Sequence, residues 1–286
     1  MNRLTSWLFL AVLSCTALTA AASSQKQFQA SMLVTGSIIV APDGTVRSFT
    51  LDQTSKLPSA VVDLMNKGVP SWRFAPTKRD GQPVAAAAKM SVRVIAQPQD
   101  NGNYVLRMSG AQFDQNTNAK GSLYANRIPP TYPASAIRDR VAGSVYLLVR
   151  VNKQGQAVDA FAEQVNLDAQ PGGMPSESTM KRWRSLLANA SLDAVRKWTF
   201  PTPGSNDHSM DGYWYARVPI NFSIADSLER PTPEYGKWDI YVPGPVEQNP
   251  WDSQSRIADR DIDALPDGSI SLADQGLHLV TPLGGS

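Results

Sequence analysis

The chain has 286 residues, which is enough for two modest domains, and its apolar content of 42% is ordinary for a globular protein. Its formal net charge of +2 excludes recognition of a polyanion through total charge alone. The charge is uneven, because residues 1–225 carry 23 basic and 14 acidic side chains, whereas residues 226–286 carry 4 and 11. Two interpretations stay open: independently solvated surfaces, or an acidic tail attracted to a basic folded part.

Residues 1–22 have the pattern of a signal peptide. A short basic region precedes an apolar run at 4–13, and three alanines at 20–22 favour cleavage before Ser23. The run is shorter than the ~20 apolar residues that a membrane-spanning helix needs. Cys15, the sole cysteine, follows a loose lipoprotein-box pattern. We therefore predict export to the periplasm, with a lipidated Cys15 or an uncleaved anchor at 4–22 as alternatives.

The first predicted domain covers residues 28–96. Residues 32–40 alternate between apolar and other side chains as a half-buried strand does, and Asp43-Gly44 then predicts a tight hairpin turn. A return strand follows, and apolar residues spaced by three and four at 57–68 predict a helix. Residues 90–94 close the unit as a further strand.

The second predicted domain covers residues 128–226 and repeats that order. Strands are predicted at 143–151 and 158–165, and a helical stripe is predicted at 183–198. Ser176 and Ser178 are candidate N-caps of that helix. A last strand is predicted at 215–224. Each unit is therefore β-β-α-β, an antiparallel sheet with a helix on one face.

Two segments are predicted to lie outside these domains. Residues 97–127 are polar and punctuated by Asn and Gly, which predicts an exposed linker with at most a short strand at 104–108. Residues 227–286 form an acidic tail in which recurring prolines predict mostly irregular structure. Short apolar stretches at 238–242 and 270–280 are candidate edge strands.

A Trp-x-Phe element follows each predicted helix, at 72–74 and at 198–200. Val92 lies twenty positions after the first Trp, and Val218 lies at the same distance from the second. This repeat predicts two related units. We expect the aromatic side chains to be core residues that join helix to sheet, and not sites.

Residue types that carry chemistry are sparse. His208 and His278 stand in loop-like contexts, and the chain lacks zinc-ligand spacing, a phosphate-binding glycine loop and a nucleophile elbow. Basic residues between 138 and 197 lack a nucleic-acid-reading motif. We therefore predict no catalytic residue, metal, small-molecule cofactor or nucleic-acid partner, and a protein that is not an enzyme.

The second unit resembles the C-terminal domain of the TonB family. The resemblance is carried by Pro130-Thr131-Tyr132-Pro133, by Gly143 and Gly155, and by residues 192–200 and 218–222. The first unit is similar in degenerate form, with Gly44 in the place of Gly155. The structural signature comprises Trp72, Phe74, Tyr132, Gly143, Gly155, Trp198 and Phe200.

The resemblance implies an α+β fold with two tandem TonB C-terminal-like domains and a Pro-rich tail. It also implies that an extended peptide of an outer-membrane transporter adds to the edge of the last strand. The expected binding residues are Tyr215, Arg217, Val218, Ile220 and Phe222. Because an open edge favours aggregation, we also predict that residues 238–242 fold back onto it as a guard.

Four functions follow as alternatives. The first is a periplasmic protein that binds outer-membrane transporter or envelope peptides by strand addition. The second is an anchored energy transducer of the TonB type for uptake of siderophores or other nutrients. The third is an envelope scaffold or assembly factor, and the fourth is an enzyme. A homodimer through edge strands is a further expected association.

Overall fold

The computed structural model describes residues 28–99, 102–114, 127–170, 172–200, 212–224, 234–251, 262–272 and 276–283. The predictions about the signal peptide, Cys15 and His208 lie outside these residues. The described part is a mixed α+β structure in which every paired strand runs antiparallel to its neighbour.

One large sheet dominates the described residues. In chain order, the strands are β1 (Gln29–Val40), β2 (Val46–Leu51), β3 (Lys78–Arg79), β4 (Gln82–Pro83), β5 (Ala86–Pro98), β6 (Tyr104–Asp114), β7 (Gly143–Val151), β8 (Ala157–Asp168), β9 (Trp214–Phe222), β10 (Asp239–Val242) and β11 (Ser271–Leu272). Across the sheet, the order is β11-β9-β7-β8-β10-β1-β5-β6, and β2 also pairs with β1. Strands β3 and β4 form a separate small hairpin. We call β1, β2, β5 and β6 the first half-sheet, and β7, β8 and β9 the second.

Each half-sheet has one principal helix. Helix α1 (Ser59–Gly68) begins after Pro58 and buries Val61 and Met65. Helix α2 (Ala134–Arg138) is a short turn before β7. Helix α3 (Glu177–Val195) is N-capped by Ser176, whose Oγ accepts a hydrogen bond from the Thr179 N–H at 3.4 Å. The N-cap is therefore Ser176, and not Ser178.

Two separate apolar clusters fill the space beneath these helices. One combines α1 residues with the inward side chains of β1 and β5, and it contains Trp72 and Phe74. The other combines α3 residues with the inward side chains of β7 and β9, and it contains Trp198 and Phe200. Each half-sheet therefore has its own core, on the face that its helix covers.

The two hairpin turns make the same contact with the two Trp-x-Phe elements. The Phe74 N–H donates to the Gly44 carbonyl oxygen at 2.8 Å, and the Phe200 N–H donates to the Gly155 carbonyl oxygen at 2.7 Å. Both glycines have positive φ, of 84° and 79°. A Cβ would lie 2.1 Å from the Phe74 oxygen at Gly44, and 2.3 Å from the Phe200 oxygen at Gly155. Each turn therefore requires glycine for two reasons: its backbone has positive φ, and a Cβ would collide with the phenylalanine carbonyl oxygen.

The strand register refines the sequence repeat. Val34 pairs with Val92, whereas Val145, which lies as far before Gly155 as Val34 lies before Gly44, pairs with Ile220. The structural counterpart of Val92 is therefore Ile220, and the equal spacing of Val92 and Val218 from their tryptophans is not an equal position in the sheet. Two additional residues between Phe200 and β9 account for the difference.

The prediction that residues 97–127 form a linker is wrong for residues 97–98 and 109–114, whereas the short strand at 104–108 is confirmed. Strand β5 continues to Pro98, and β6 pairs with it from Tyr104 to Asp114. Alternate β6 side chains, including Met108 and Phe113, are buried beneath α1. The sequence pattern did not predict the whole strand, because polar residues suggest exposed positions. Gln112 is polar but is buried, on the face opposite Phe113.

The prediction that residues 238–242 cover the edge of β9 is also wrong. Strand β10 lies between the two half-sheets, where Tyr241 pairs with Asp168 of β8 on one side and with Gln29 of β1 on the other. Its Tyr241 and Val242 side chains are buried. The tail therefore joins the half-sheets into one sheet, because β10 supplies backbone partners to both.

Candidate functional site

Strand β9 is the last strand of the second half-sheet, to whose edge an extended peptide was predicted to bind. On one side it pairs with β7 along its whole length, from Trp214 to Phe222. On its outer side, β11 pairs only with Ala216 and Arg217. No other strand of the described residues pairs with that side between Val218 and Phe222. Within the described ranges, the backbone there is an edge at this end of the sheet that no strand pairs with.

Side chains at this edge point mostly inward. Val218, Ile220 and Phe222 lie in the core beneath α3. Tyr215 and Arg217 are buried on the opposite face. None of the five predicted binding residues therefore offers an exposed side chain, and an added strand would contact them through the backbone.

Asn221 is the exposed residue of β9, and it was not among the predicted binding residues. Its side-chain amide donates to the Ser144 Oγ at 3.2 Å, across the pair that it forms with Ser144 on β7. The signal available in the sequence was its polar character among alternating apolar positions. A partner on the outer side of β9 would pass next to Asn221.

Arg217 is held by a carboxylate inside the protein. Its Nε and Nη2 donate to the two Glu163 oxygens at 2.8 and 3.0 Å, and the two side chains are only 2% and 4% exposed. This bidentate geometry fixes the guanidinium plane. Removing one partner of such a pair costs about 3–5 kcal/mol, because the other charge stays buried. The pair ties β9 to β8 across β7 and leaves the backbone of Arg217 at the edge.

Trp251 of the tail covers the outer face of the second half-sheet. Its ring centroid lies 6.1 Å from that of Tyr215 and 6.4 Å from that of Phe161. Tyr215 therefore contacts the protein's own tail, and its ring is not available to a partner from outside.

Residues 262–272, which we call the strap, cross from the first half-sheet to β9. Near its start, the Arg93 guanidinium and the Ser91 hydroxyl donate to the carbonyl oxygens of Asp263 and Ala264. At its end, Ser271 and Leu272 form β11. A cavity of about 290 Å³ separates the strap from β1, β5 and β6. The strap is therefore anchored at its start by these bonds and at its end by β11. Its middle has the cavity on one side, and there Arg127 Nη1 donates to the Gly268 carbonyl oxygen at 3.4 Å.

Three carboxylates lie where the tail meets the second half-sheet. Burial, followed by the charges of Asp239 and Asp267, raises the pKa of Asp168 to about 6. Burial is also the main reason that the pKa values of Asp239 and Asp267 are raised, against the opposing charge of Arg93. All three residues keep exposed surface, so water screens part of their repulsion.

Tyr132 fixes the start of the second half-sheet. Its hydroxyl donates to the Val141 carbonyl oxygen, and its ring packs edge-on against Phe222 with centroids 5.1 Å apart. Burial raises the pKa of Tyr132 to about 12, so the hydroxyl stays protonated and donates at neutral pH. Gly143 closes this corner, because a Cβ there would lie 2.2 Å from the Asn166 carbonyl oxygen.

The described residues also limit other kinds of site. Among them, no group of three or more His, Cys, Asp or Glu side chains is placed to hold a metal ion. The side chain of His278 is exposed, while its carbonyl oxygen accepts from the Ala75 N–H at 2.9 Å. No helix in the described ranges is long and apolar enough to cross a membrane.

Comparison with known proteins gives a partial match. The chain is 30% identical over 99 residues to two proteins named Protein TonB, from Xanthomonas campestris pv. campestris strains B100 and ATCC 33913. The matched region is 35% of this chain and 36% of each relative, so the chain spans about a third of the length of these curated relatives. No family model and no solved structure matches the chain. About a third of the chain is therefore similar to Protein TonB.

Proposed function

We propose that this chain is a periplasmic TonB-like binding protein that engages peptides of outer-membrane transporters or other envelope proteins by adding a strand to β9. The observation that carries the proposal is the outer side of β9 between Val218 and Phe222, with which no strand of the described part of the chain pairs. An extended peptide that pairs there satisfies backbone groups of both chains. The partial similarity to Protein TonB supports the same assignment.

The proposal includes two tandem TonB-like domains and no enzymatic activity. Support for the repeat comes from the matching contacts of Gly44 with Phe74 and of Gly155 with Phe200. In the first half-sheet, however, β6 already covers β5 from Lys89 to Pro98. The first domain therefore has no open edge at this place, and partner binding is assigned to the second domain.

An anchored energy transducer is the second candidate, and the similarity to Protein TonB favours it. The two candidates differ at the N-terminus of the mature protein. Mass analysis that finds a start at Ser23 supports the soluble periplasmic form, whereas retention of residues 4–22 supports the anchored form.

The binding edge is tested by site-specific photo-crosslinking in living cells. A photoreactive amino acid replaces Asn221, which is exposed beside the unpaired edge. The matched control replaces Gln154, which is exposed in the hairpin turn between β7 and β8. We expect transporter or other envelope proteins to be captured at position 221 and not at position 154. Equal capture at both positions, or none at position 221, would refute the proposed edge.

A further inference from the structure

Strand β5 of the first half-sheet corresponds to β9 of the second. Strand β6 pairs with the outer side of β5, so it shows how an added strand would pair with β9. Strands β5 and β9 each follow a Trp-x-Phe element, and each pairs with the strand that opens its half-sheet, β1 or β7. By the register of those pairs, Met90 corresponds to Val218 and Lys89 to Arg217. The outer side of β5 carries β6 over ten residue pairs.

Phe113 is the side chain by which β6 reaches the first core. It pairs with Met90, and its ring lies edge-on to Trp72 and Phe74 with centroids 5.6 and 4.9 Å apart. It is only 5% exposed. The Trp-x-Phe element of this half-sheet therefore forms one wall of a slot that an aromatic side chain of the added strand fills.

In the second half-sheet, a side chain of the strap fills the equivalent slot. Ser271 pairs with Arg217, as Asp114 pairs with Lys89, so Ile270 stands where Phe113 stands in the first. Ile270 is 6% exposed and belongs to the same core cluster as Trp198 and Phe200. The direction of the chain along the edge is also the same, because residue numbers rise from Ile270 to Ser271 as they do from Phe113 to Asp114.

The strap is nevertheless a much shorter occupant than β6. It pairs with β9 at two residues only, whereas β6 pairs with β5 at ten. Before Ile270 the chain turns away, since the Ser269 N–H donates to the Pro266 carbonyl oxygen and Gly268 has a φ of 74°. The cavity of about 290 Å³ lies beside Ser269, Ile270 and Ser271. A short strand next to free space is the part of this edge that is easiest to displace.

We infer that Ile270–Ser271–Leu272 is an internal ligand of the β9 edge, and that the partner replaces it with an extended peptide. The peptide pairs antiparallel with β9 and places an aromatic or large aliphatic side chain in the slot of Ile270. The next residue of the peptide takes the place of Ser271 and is small. Ser271 is only 6% exposed, and it pairs with Arg217, whose side chain is already bound to Glu163. Residues before the aromatic position continue along β9 toward Asn221. This inference rests on the proposed function and names its partner.

The test uses the full chain and a synthetic probe, the heptapeptide of residues 268–274. Ser271→Arg places a second buried cation opposite Arg217, so it expels the internal ligand. Ser185→Arg, on the exposed surface of α3, is the matched control. We expect Ser271→Arg to bind the heptapeptide at least about tenfold more tightly than the unmodified chain, because the competent state is no longer occupied. Ser185→Arg is expected to bind like the unmodified chain, and a heptapeptide carrying Ile270→Asp is expected not to bind.

Amide hydrogen exchange across 216–222 gives a second measurement with changes of opposite sign. Ser271→Arg is expected to speed exchange there, while Ile270→Phe, which copies Phe113, is expected to slow it and to weaken heptapeptide binding. Unchanged exchange and affinity in folded Ser271→Arg would overturn the inference, as would faster exchange in Ile270→Phe. Should Ser271→Arg fail to fold, Ile270→Phe alone decides.

The two proposals fail in distinguishable ways. Heptapeptide binding to Ser271→Arg without crosslinking at position 221 in cells supports the internal ligand and refutes the envelope partner. Crosslinking at position 221 with no effect of either strap variant supports the partner and refutes the internal ligand.

Discussion

Arg217 illustrates how a residue at an edge strand can face away from a partner. Its backbone lies at the outer side of β9, but its guanidinium is buried against Glu163. Sequence periodicity places Arg217 on the face opposite Val218, yet it does not identify Glu163 as the partner, because 54 residues separate the two along the chain. The role of such a residue is decided by a long-range ion pair that no local pattern contains.

Gly155 is the residue-scale position with the clearest expected cost. In Gly155→Ala the new Cβ meets the Phe200 carbonyl oxygen, and the backbone also keeps a φ of 79°. Gly172→Ala is the matched control, because Gly172 has a φ of 87° with nothing within 4 Å of a Cβ. We expect the control to lose about 1–2 kcal/mol from backbone strain alone, and Gly155→Ala to lose clearly more. Urea unfolding measures both, and equal losses would contradict a tight turn-to-Phe200 contact.

At the scale of elements, regular alternation was sufficient to predict β1 and β7, and turn chemistry was sufficient to predict the hairpins that follow them. Strand β6 was predicted only in part, because its buried Gln112 and the Asn-Gly-Asn segment at 101–103 before it are typical of a loop. Strand β10 was recognised as a strand but was assigned to the wrong neighbour. Its place depends on the gap between two half-sheets that lie far apart in the sequence, and local pattern carries no information about that gap.

Strand β6 is expected to be an integral part of the first half-sheet. Phe113→Ala removes the ring that packs edge-on against Trp72 and Phe74, and we expect a loss of about 3–5 kcal/mol, the usual cost for a buried phenylalanine. Tyr104→Ala on the same strand is the control, because Tyr104 is 65% exposed. Thermal or urea unfolding decides the point. A loss no larger than that of the control would show that β6 is dispensable, and the comparison of β6 with the strap would then fail.

At the scale of the whole molecule, the tail is what makes two half-sheets into one sheet. Strand β10 pairs with β8 and β1, the strap crosses from β5 to β9, and Trp251 covers the face between β8 and β9. Composition predicted an acidic, proline-rich tail but not its position. The prolines lie between the short pairing segments, so each segment reaches its own place in the sheet. The tail acts as a clamp, and two of its carboxylates, those of Asp239 and Asp267, lie near Asp168 of β8.

The raised pKa values of Asp168, Asp239 and Asp267 predict that the free energy of unfolding falls as pH rises from about 5 to 7. Burial and the charges of Asp239 and Asp267 raise the pKa of Asp168 to about 6, against an ordinary value of 3.8. Between these two values the folded chain binds more protons than the unfolded chain, so the free energy of unfolding falls with rising pH. This contribution is complete below the unfolded pKa and is lost as pH passes about 6. The raised pKa values of Asp239 and Asp267 act with the same sign.

Asp168→Asn isolates this effect, because the amide is neutral at every pH in the window. We expect the melting temperature of the unmodified chain to fall between pH 5 and pH 7.5 by more than that of Asp168→Asn, and the gap between the two curves to narrow as pH falls toward 4. The difference is partial, since Asp168 keeps exposed surface. After correction for the intrinsic rise of the exchange rate with pH, amide protection at 241–242 is expected to fall over the same window in the unmodified chain and not in Asp168→Asn, because those residues pair with Asp168 and Leu167. Parallel melting curves would show that the repulsion among the three carboxylates does not act on the tail, and that the clamp holds independently of their charge.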